Sequence, residues 1–262
     1  MNRSVSANRP KDAQAVPPGN GWWRSLWELT WFSLIRNRVE LPFYVILQVL
    51  VSCSVIFGLS IMADTSQPEW VSHLAAGSWA ISLLMIGCVV APSKMMSNMQ
   101  DGVQTFLKSL PVPRSCLLFS DALVWTLACM PGFIGSVVLA SLRFQLQISV
   151  TPLTLCFVAL ALFVYLMIGY AVAVWIPITL ASLVTQVIIL GALLFSPISY
   201  PADRIPDWAV TAHSILPFTP AANLVREGFF PGQGADPWNV AVVIAWSAVL
   251  FALSLRGVGR RS

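Results

Sequence analysis

Two early stretches of this chain run the length of a bilayer crossing without a single charge: 23 residues between Glu40 and Asp64, and 24 between Glu69 and Lys94. A helix needs about 20 mainly apolar residues to cross the hydrocarbon core. More windows follow: 21 residues over 122–142, 59 between Arg143 and Asp203, and 19 over 237–255. The longest holds two crossings, divided at Trp175-Ile176-Pro177, because proline disfavours a continuing helix. Charged residues make up 10% of the 262, where a soluble domain has roughly 25%. Mean hydropathy is +0.76, too apolar for disorder or for a polar outer shell. The apolar runs lack the alternation of a barrel strand, so helices must satisfy the backbone in lipid. The expectation is an all-α integral membrane protein with six spans, at about 41–63, 72–92, 117–141, 150–173, 178–199 and 238–255.

Basic residues set the orientation, since they concentrate on the cytoplasmic side. Arg3, Arg9, Lys11, Arg24, Arg36 and Arg38 precede the first span, Lys94, Lys108 and Arg114 follow the second, and Arg256, Arg260 and Arg261 end the chain. Only Arg143, Arg204 and Arg226 fall on the other side. Both termini are therefore expected in the cytoplasm. Residues 1–20 are polar, lack the apolar core of a signal peptide and read as a disordered tail. Residues 259–262 form the cytoplasmic C-terminus. Cys53, Cys88, Cys116, Cys129 and Cys156 lie in or beside spans without metal-ligand spacing, and read as packing residues.

Three segments are not spans. In 21–37, Trp23, Leu26, Trp27, Trp31, Leu34 and Ile35 recur at helical spacing, with Arg24, Ser25, Glu28 and Arg36 largely opposite. This predicts an amphipathic helix, lying in the membrane interface or packed on another domain. The loop 91–116 predicts a helix over about 95–109, stopped by Pro111 and Pro113, with Val103, Phe106, Leu107 and Leu110 on one face. That face suits docking into a groove on a partner, or packing on its own transmembrane ends. On the outer side, 208–215 and 221–230 are too short to cross and too apolar for free loops, which predicts re-entrant or interfacial half-helices.

Catalytic chemistry is sparse. None of the three lysines stands in a phosphate-binding loop, so ATP is not bound by that route. His73 and His213 both fall on the outer side, and no HExxH, CxxC or Ser-His-Asp pattern occurs. No metal site is expected, and no basic, aromatic-interleaved surface suggests nucleic acid. Asp121 is the sole carboxylate inside an expected span. It belongs to a translocation network or sits near the cytoplasmic interface at the positive end of its helix. Arg143 reads as a snorkelling anchor at the outer end, or as a gate or headgroup contact.

The layout resembles the membrane subunits of ABC-2 type exporters, over about residues 21–258. The resemblance rests on the interfacial helix, six spans with both ends inside, the cytoplasmic helix after span two and the outer half-helices. Gln100-Asp101-Gly102-Val103 followed by Leu107-Lys108-Ser109-Leu110-Pro111-Val112-Pro113-Arg114 is similar to that family's second loop, best in its Pro-Val-x-Arg end. Pro206-Asp207-Trp208, Pro217, Pro220 and Arg226 follow the family's outer order, and Arg143-Phe144 looks like a dipeptide of the daunorubicin-resistance type drug and lipid exporters.

The resemblance implies a multi-pass permease half in a bacterial plasma membrane, not itself an enzyme. Its implied partners are a separate nucleotide-binding subunit, which carries ATP and Mg, a second copy or a paralogue, and membrane lipid. It implies no cofactor bound by this chain. Met99, Asp101, Gly102, Gln104, Thr105, Phe106, Leu107 and Lys108 would form the ATPase-coupling helix, and Trp23, Leu26, Trp27 and Trp31 the interfacial helix. Gln48, Ser52, Thr185, Gln186 and Ser196 would line a pathway, or make ordinary interhelical bonds. Arg143, Trp208 and Arg226 would form an outer gate or anchor. Amphipathic or lipidic cargo is expected, with a lipid-linked glycan or a non-transporting scaffold role as alternatives.

Overall fold

The computed structural model describes residues 21–62, 68–103, 107, 112–196, 198, 206–230 and 236–260, and no β-strand occurs among them. Helix α1 (Trp22–Asn37) leads into α2 (Leu41–Met62). Next comes one continuous rod: α3 (Pro68–Met85), a single π-helical turn at Ile86–Val90, and α4 (Ala91–Gln100). The widened turn sits just before Pro92, whose missing N–H leaves the Cys88 carbonyl without its usual i+4 donor. Helices α5 (Arg114–Phe144), α6 (Pro152–Trp175) and α7 (Ile178–Phe195) follow. Two short helices, α8 (Asp207–Ile215) and α9 (Phe218–Phe229), precede the last, α10 (Pro237–Arg260).

Five helical stretches are long and apolar enough to cross a membrane: Leu41–Gly58, Trp70–Gln100, Arg114–Phe144, Pro152–Trp175 and Pro237–Val258. The expected span 178–199 appears as the shorter α7. It stops because Ser196 precedes Pro197 and is extended (φ −89°, ψ 134°), the conformation proline imposes on its predecessor. Ile176, before Pro177, ends α6 in the same way.

Helix α6 is central. A capping box starts it: Thr151 Oγ1 accepts from the Thr154 N–H at 3.2 Å, and Thr154 Oγ1 accepts from the Thr151 N–H at 3.0 Å. The α3–α4 rod crosses α6 closely, because a Cβ on Gly87 would lie 2.6 Å from Tyr165 Cβ, and one on Gly169 would strike the Gly87 carbonyl. Burial separates centre from rim. Inside the protein lies 83% of the most apolar stretch of the rod, against 17% for α2 and 22% for α10.

The second half-helix packs along α6. Tyr165, midway along α6, donates to the Phe218 carbonyl at 3.2 Å, while Thr154, in the first turn of α6, donates to the Gly228 carbonyl at 2.6 Å. Helix α9 therefore runs antiparallel to α6 from mid-depth to one end. The last carbonyls of α8 are taken by indoles of α10: Trp238 Nε1 donates to Ser214 O at 3.4 Å and Trp246 Nε1 to Ile215 O at 2.8 Å. Those carbonyls have no intrahelical donor.

One expected boundary is corrected. The helix expected over 95–109 is not a separate element from its start: Met95 to Gln100 complete the rod. The helix turns off at Asp101-Gly102, where Gly102 has φ +73°, a left-handed conformation that glycine adopts without steric cost.

Candidate functional site

Leu29 of α1 and Val258 near the end of α10 line one cleft, so both ends of the described chain lie at the same end of the bundle. At this termini end, α1 packs on α5 through Ser25, Leu26, Leu29, Thr30, Ser33 and Asn37. The tryptophans face away: Trp23, Trp27 and Trp31 are 75%, 62% and 57% exposed. The expected single stripe is thus split: Leu26 at its edge is buried while the three tryptophans are exposed. Small and hydroxyl side chains permit close helix packing, and indole prefers the headgroup region. Arg24 and Glu28 pair at 2.9 Å on the exposed side.

The cleft lies between α1, α4, α5 and α10, encloses about 50 Å³ and is partly open. Arg36 and Asp121 both line it, with Ser33, Asn98, Met95 and Leu118. Tyr170 of α6 donates its hydroxyl to the Asp121 carboxyl. The Arg36 guanidinium lies over the Phe32 ring at 5.7 Å, yet its Nη1 is buried without a hydrogen-bond partner. Beside the cleft, Lys94 donates to Glu40 at 2.6 Å and Tyr44 donates to the same carboxylate at 2.9 Å. The Lys94 bond holds the Glu40 carboxyl below its usual range, against a smaller opposing effect of burial. This contact joins the start of α2 to the rod, 54 residues away in sequence, and no sequence pattern announced it.

Of the expected coupling residues, Met99 is half-buried against the core. Asp101 is exposed and accepts from Ser97 Oγ at 3.3 Å. Leu107 is half-buried and lines the same cleft as Arg36, so this residue packs on the protein's own helix ends. Gln104, Thr105, Phe106 and Lys108 lie outside the described residues.

The expected pathway residues separate. Gln48 and Ser52 are buried, with the Gln48 amide and the Ser52 hydroxyl unpartnered. Thr185 is buried and donates to the Ala181 carbonyl at 2.6 Å. Ser196 is buried and bonded to Thr219. Gln186 alone faces outward, among exposed Leu183, Val187 and Leu190. Helix α7 meets the bundle through one narrow stripe, Ala181, Thr185, Ile189 and Ala192.

At the far end, Arg143 is exposed and lies over Phe144 at 5.5 Å, and Trp208 is exposed. Arg226 on α9 is half-buried; its Nη1 is 2.9 Å from His73 Nδ1 on α3, and its Nε has no hydrogen-bond partner. Burial pushes this guanidinium down from its usual value, and neighbouring Glu227 partly offsets the effect. Glu227 is raised by burial and opposed by its bonds from Asn239 Nδ2, at 2.8 Å, and the Asp236 N–H, at 3.2 Å. Among the described residues no hydrogen bond joins these three to one another, and Arg226 is tied into the bundle through His73. Among the described residues no group of three or more His, Cys, Asp or Glu could hold a metal ion. No protein-family model matches the chain, and no curated protein matches it.

Proposed function

We propose that the chain is the membrane-spanning half of an ATP-driven exporter for amphipathic or lipidic cargo. The one-sided packing of α7 carries this reading. A glutamine on a lipid-facing helix surface is expensive and gains from a partner that supplies hydrogen bonds. Gln186 on the open face of α7 is covered when a second copy, or a paralogue, packs there; the exposed face of α2, with Phe43, Ile46 and Leu50, supplies further apolar contact.

Six crossings then arise from five full-length helices and α7, with α9 completing the outer half of that last crossing. Both termini, the cleft and the Gly102 turn face the cytoplasm. A separate nucleotide-binding subunit, holding ATP and Mg, docks on the segment following Gly102. Its closure on ATP is transmitted along the α3–α4 rod, which is rigid because it is buried along most of its length, and shifts the dimer between two states of access.

The test is to tag the chain in its native membrane, identify any co-purifying ATPase and reconstitute the pair in vesicles. Hydrolysis that depends on this chain, with ATP-driven movement of a fluorescent phospholipid or amphipathic dye, is the expected result. A chain that purifies without an ATPase, or an ATPase indifferent to it, sinks the proposal and leaves the scaffold role.

A further inference from the structure

We propose that the cleft between α1, α4, α5 and α10 binds the headgroup of a phosphoethanolamine-bearing phospholipid, its phosphodiester on Arg36 and its ammonium on Asp121. The inference depends on the membrane placement of the chain and not on export.

Its basis is an arginine and an aspartate that line one cleft with no hydrogen bond or ion pair between them. The ion pairs among the described residues are Arg24–Glu28 and Lys94–Glu40. Arg36 and Asp121 line the cleft together, but no ion pair or hydrogen bond joins them. Arg36 Nη1 is buried there with no acceptor, and an unmet buried donor is costly, the more so when charged. Phe32 supports the face of the guanidinium and leaves that N–H to be satisfied. A ligand with an anionic acceptor at one end and a cationic donor at the other fits the gap.

Position and wall chemistry narrow the ligand to a lipid. Trp23, Trp27 and Trp31 on the outer face of α1 place the helix at headgroup level. Leu29, Met95 and Leu118 give the cleft apolar walls, while Ser33 and Asn98 add polar groups. The enclosed volume of about 50 Å³ takes a phosphate-sized group.

Charge balance narrows the headgroup. An anionic lipid such as phosphatidylglycerol satisfies Arg36 but adds a negative charge beside Asp121. A phosphocholine head is balanced, yet its quaternary ammonium has no N–H to donate. Phosphoethanolamine supplies the acceptor that Arg36 lacks and a further donor to Asp121 beside Tyr170.

The test uses the full chain purified in detergent, with thermal unfolding and native mass spectrometry read against three lipids of matched chains. Phosphatidylethanolamine is expected to stabilise the protein and be retained about ten-fold more tightly than phosphatidylglycerol or phosphatidylcholine. Arg36→Gln, in the last turn of α1, removes that preference and lowers retention of both phosphatidylethanolamine and phosphatidylglycerol. Asp121→Asn removes the preference while phosphatidylglycerol retention is kept or rises. Arg36→Gln carries the test alone if loss of the Tyr170 partner prevents the Asp121 variant from folding. Equal retention of the three lipids, or an unchanged preference in Arg36→Gln, overturns the proposal. An equal shift from water-soluble phosphoethanolamine also overturns it, because the ligand is then an aqueous phosphate ester rather than a lipid.

Discussion

Ser196, just past the last turn of α7, and Thr219, in the first turn of α9, share a buried hydrogen bond of 2.6 Å between their hydroxyl oxygens. It ties the end of a helix too short for a full crossing to the start of another that continues outward. Replacing Ser196 by Ala or Thr219 by Val is expected to lower stability by about 1 kcal/mol each. The double variant should cost less than the sum, as measured by thermal unfolding in detergent. Strict additivity would show that the hydroxyls do not act as a pair.

Gly87 lies where the rod presses on α6. Gly87→Leu is expected to prevent a monodisperse preparation, because overpacking costs about 1–3 kcal/mol or more and the nearest atoms are Tyr165 Cβ and backbone. Gly58→Ala, with nothing within 4 Å of the added carbon, serves as the tolerated control. Size-exclusion profiles of the two variants decide it.

The Glu40–Lys94 contact makes stability depend on pH. The folded carboxyl titrates below its ordinary value of 4.5, so its contribution is complete above that value. It is lost as pH falls through the lower, folded value. With Glu40 nearly half exposed, about 1 kcal/mol or less is at stake. Glu40→Gln should therefore be less stable than the native chain at neutral pH and converge with it in acid. Parallel melting curves at every pH would refute the assignment.

The three outward tryptophans of α1 predict strong quenching of indole fluorescence by lipids brominated near the headgroup. Changing Trp23, Trp27 and Trp31 to Ser should remove a large share of that quenching while leaving buried Trp79 and Trp125 unaffected. An unchanged quenching profile would show that α1 does not touch the membrane.

The half-helices at 208–215 and 221–230 were legible because length and apolarity leave few options in a bilayer. The observed α8 and α9 start and stop within a few residues of those limits. The rod was harder to read. Lys94 closed the charge-free window of span two, yet α4 continues beyond it to Gln100, since a helix emerging from lipid loses no backbone bonds in the interface. Periodicity grouped Leu26 with the tryptophans of α1. Packing separated them, because small residues such as Ser25 and Ser33 approach α5 more closely than indoles do. Gln48 and Ser52 were candidates for a pathway through the family resemblance and their polarity; only the neighbouring helix shows that they are buried.

The sequence by itself determined that this chain is helical and suited to a membrane. Backbone hydrogen bonds must be met within each segment wherever water is absent, and runs of uncharged residues mark where that is so. It also placed the end of α6, because Pro177 acts on the residue directly before it; the end of α7 before Pro197 was missed, the expected span running on to 199. Tertiary structure alone decided what the few polar side chains do. Arg36 and Asp121, which line one cleft, are 85 residues apart, and the bonded Ser196 and Thr219 are 23 apart, and no local preference encodes either placement. Their chemistry depends on which helices lie side by side, a matter settled by close packing such as that of Gly87 against α6.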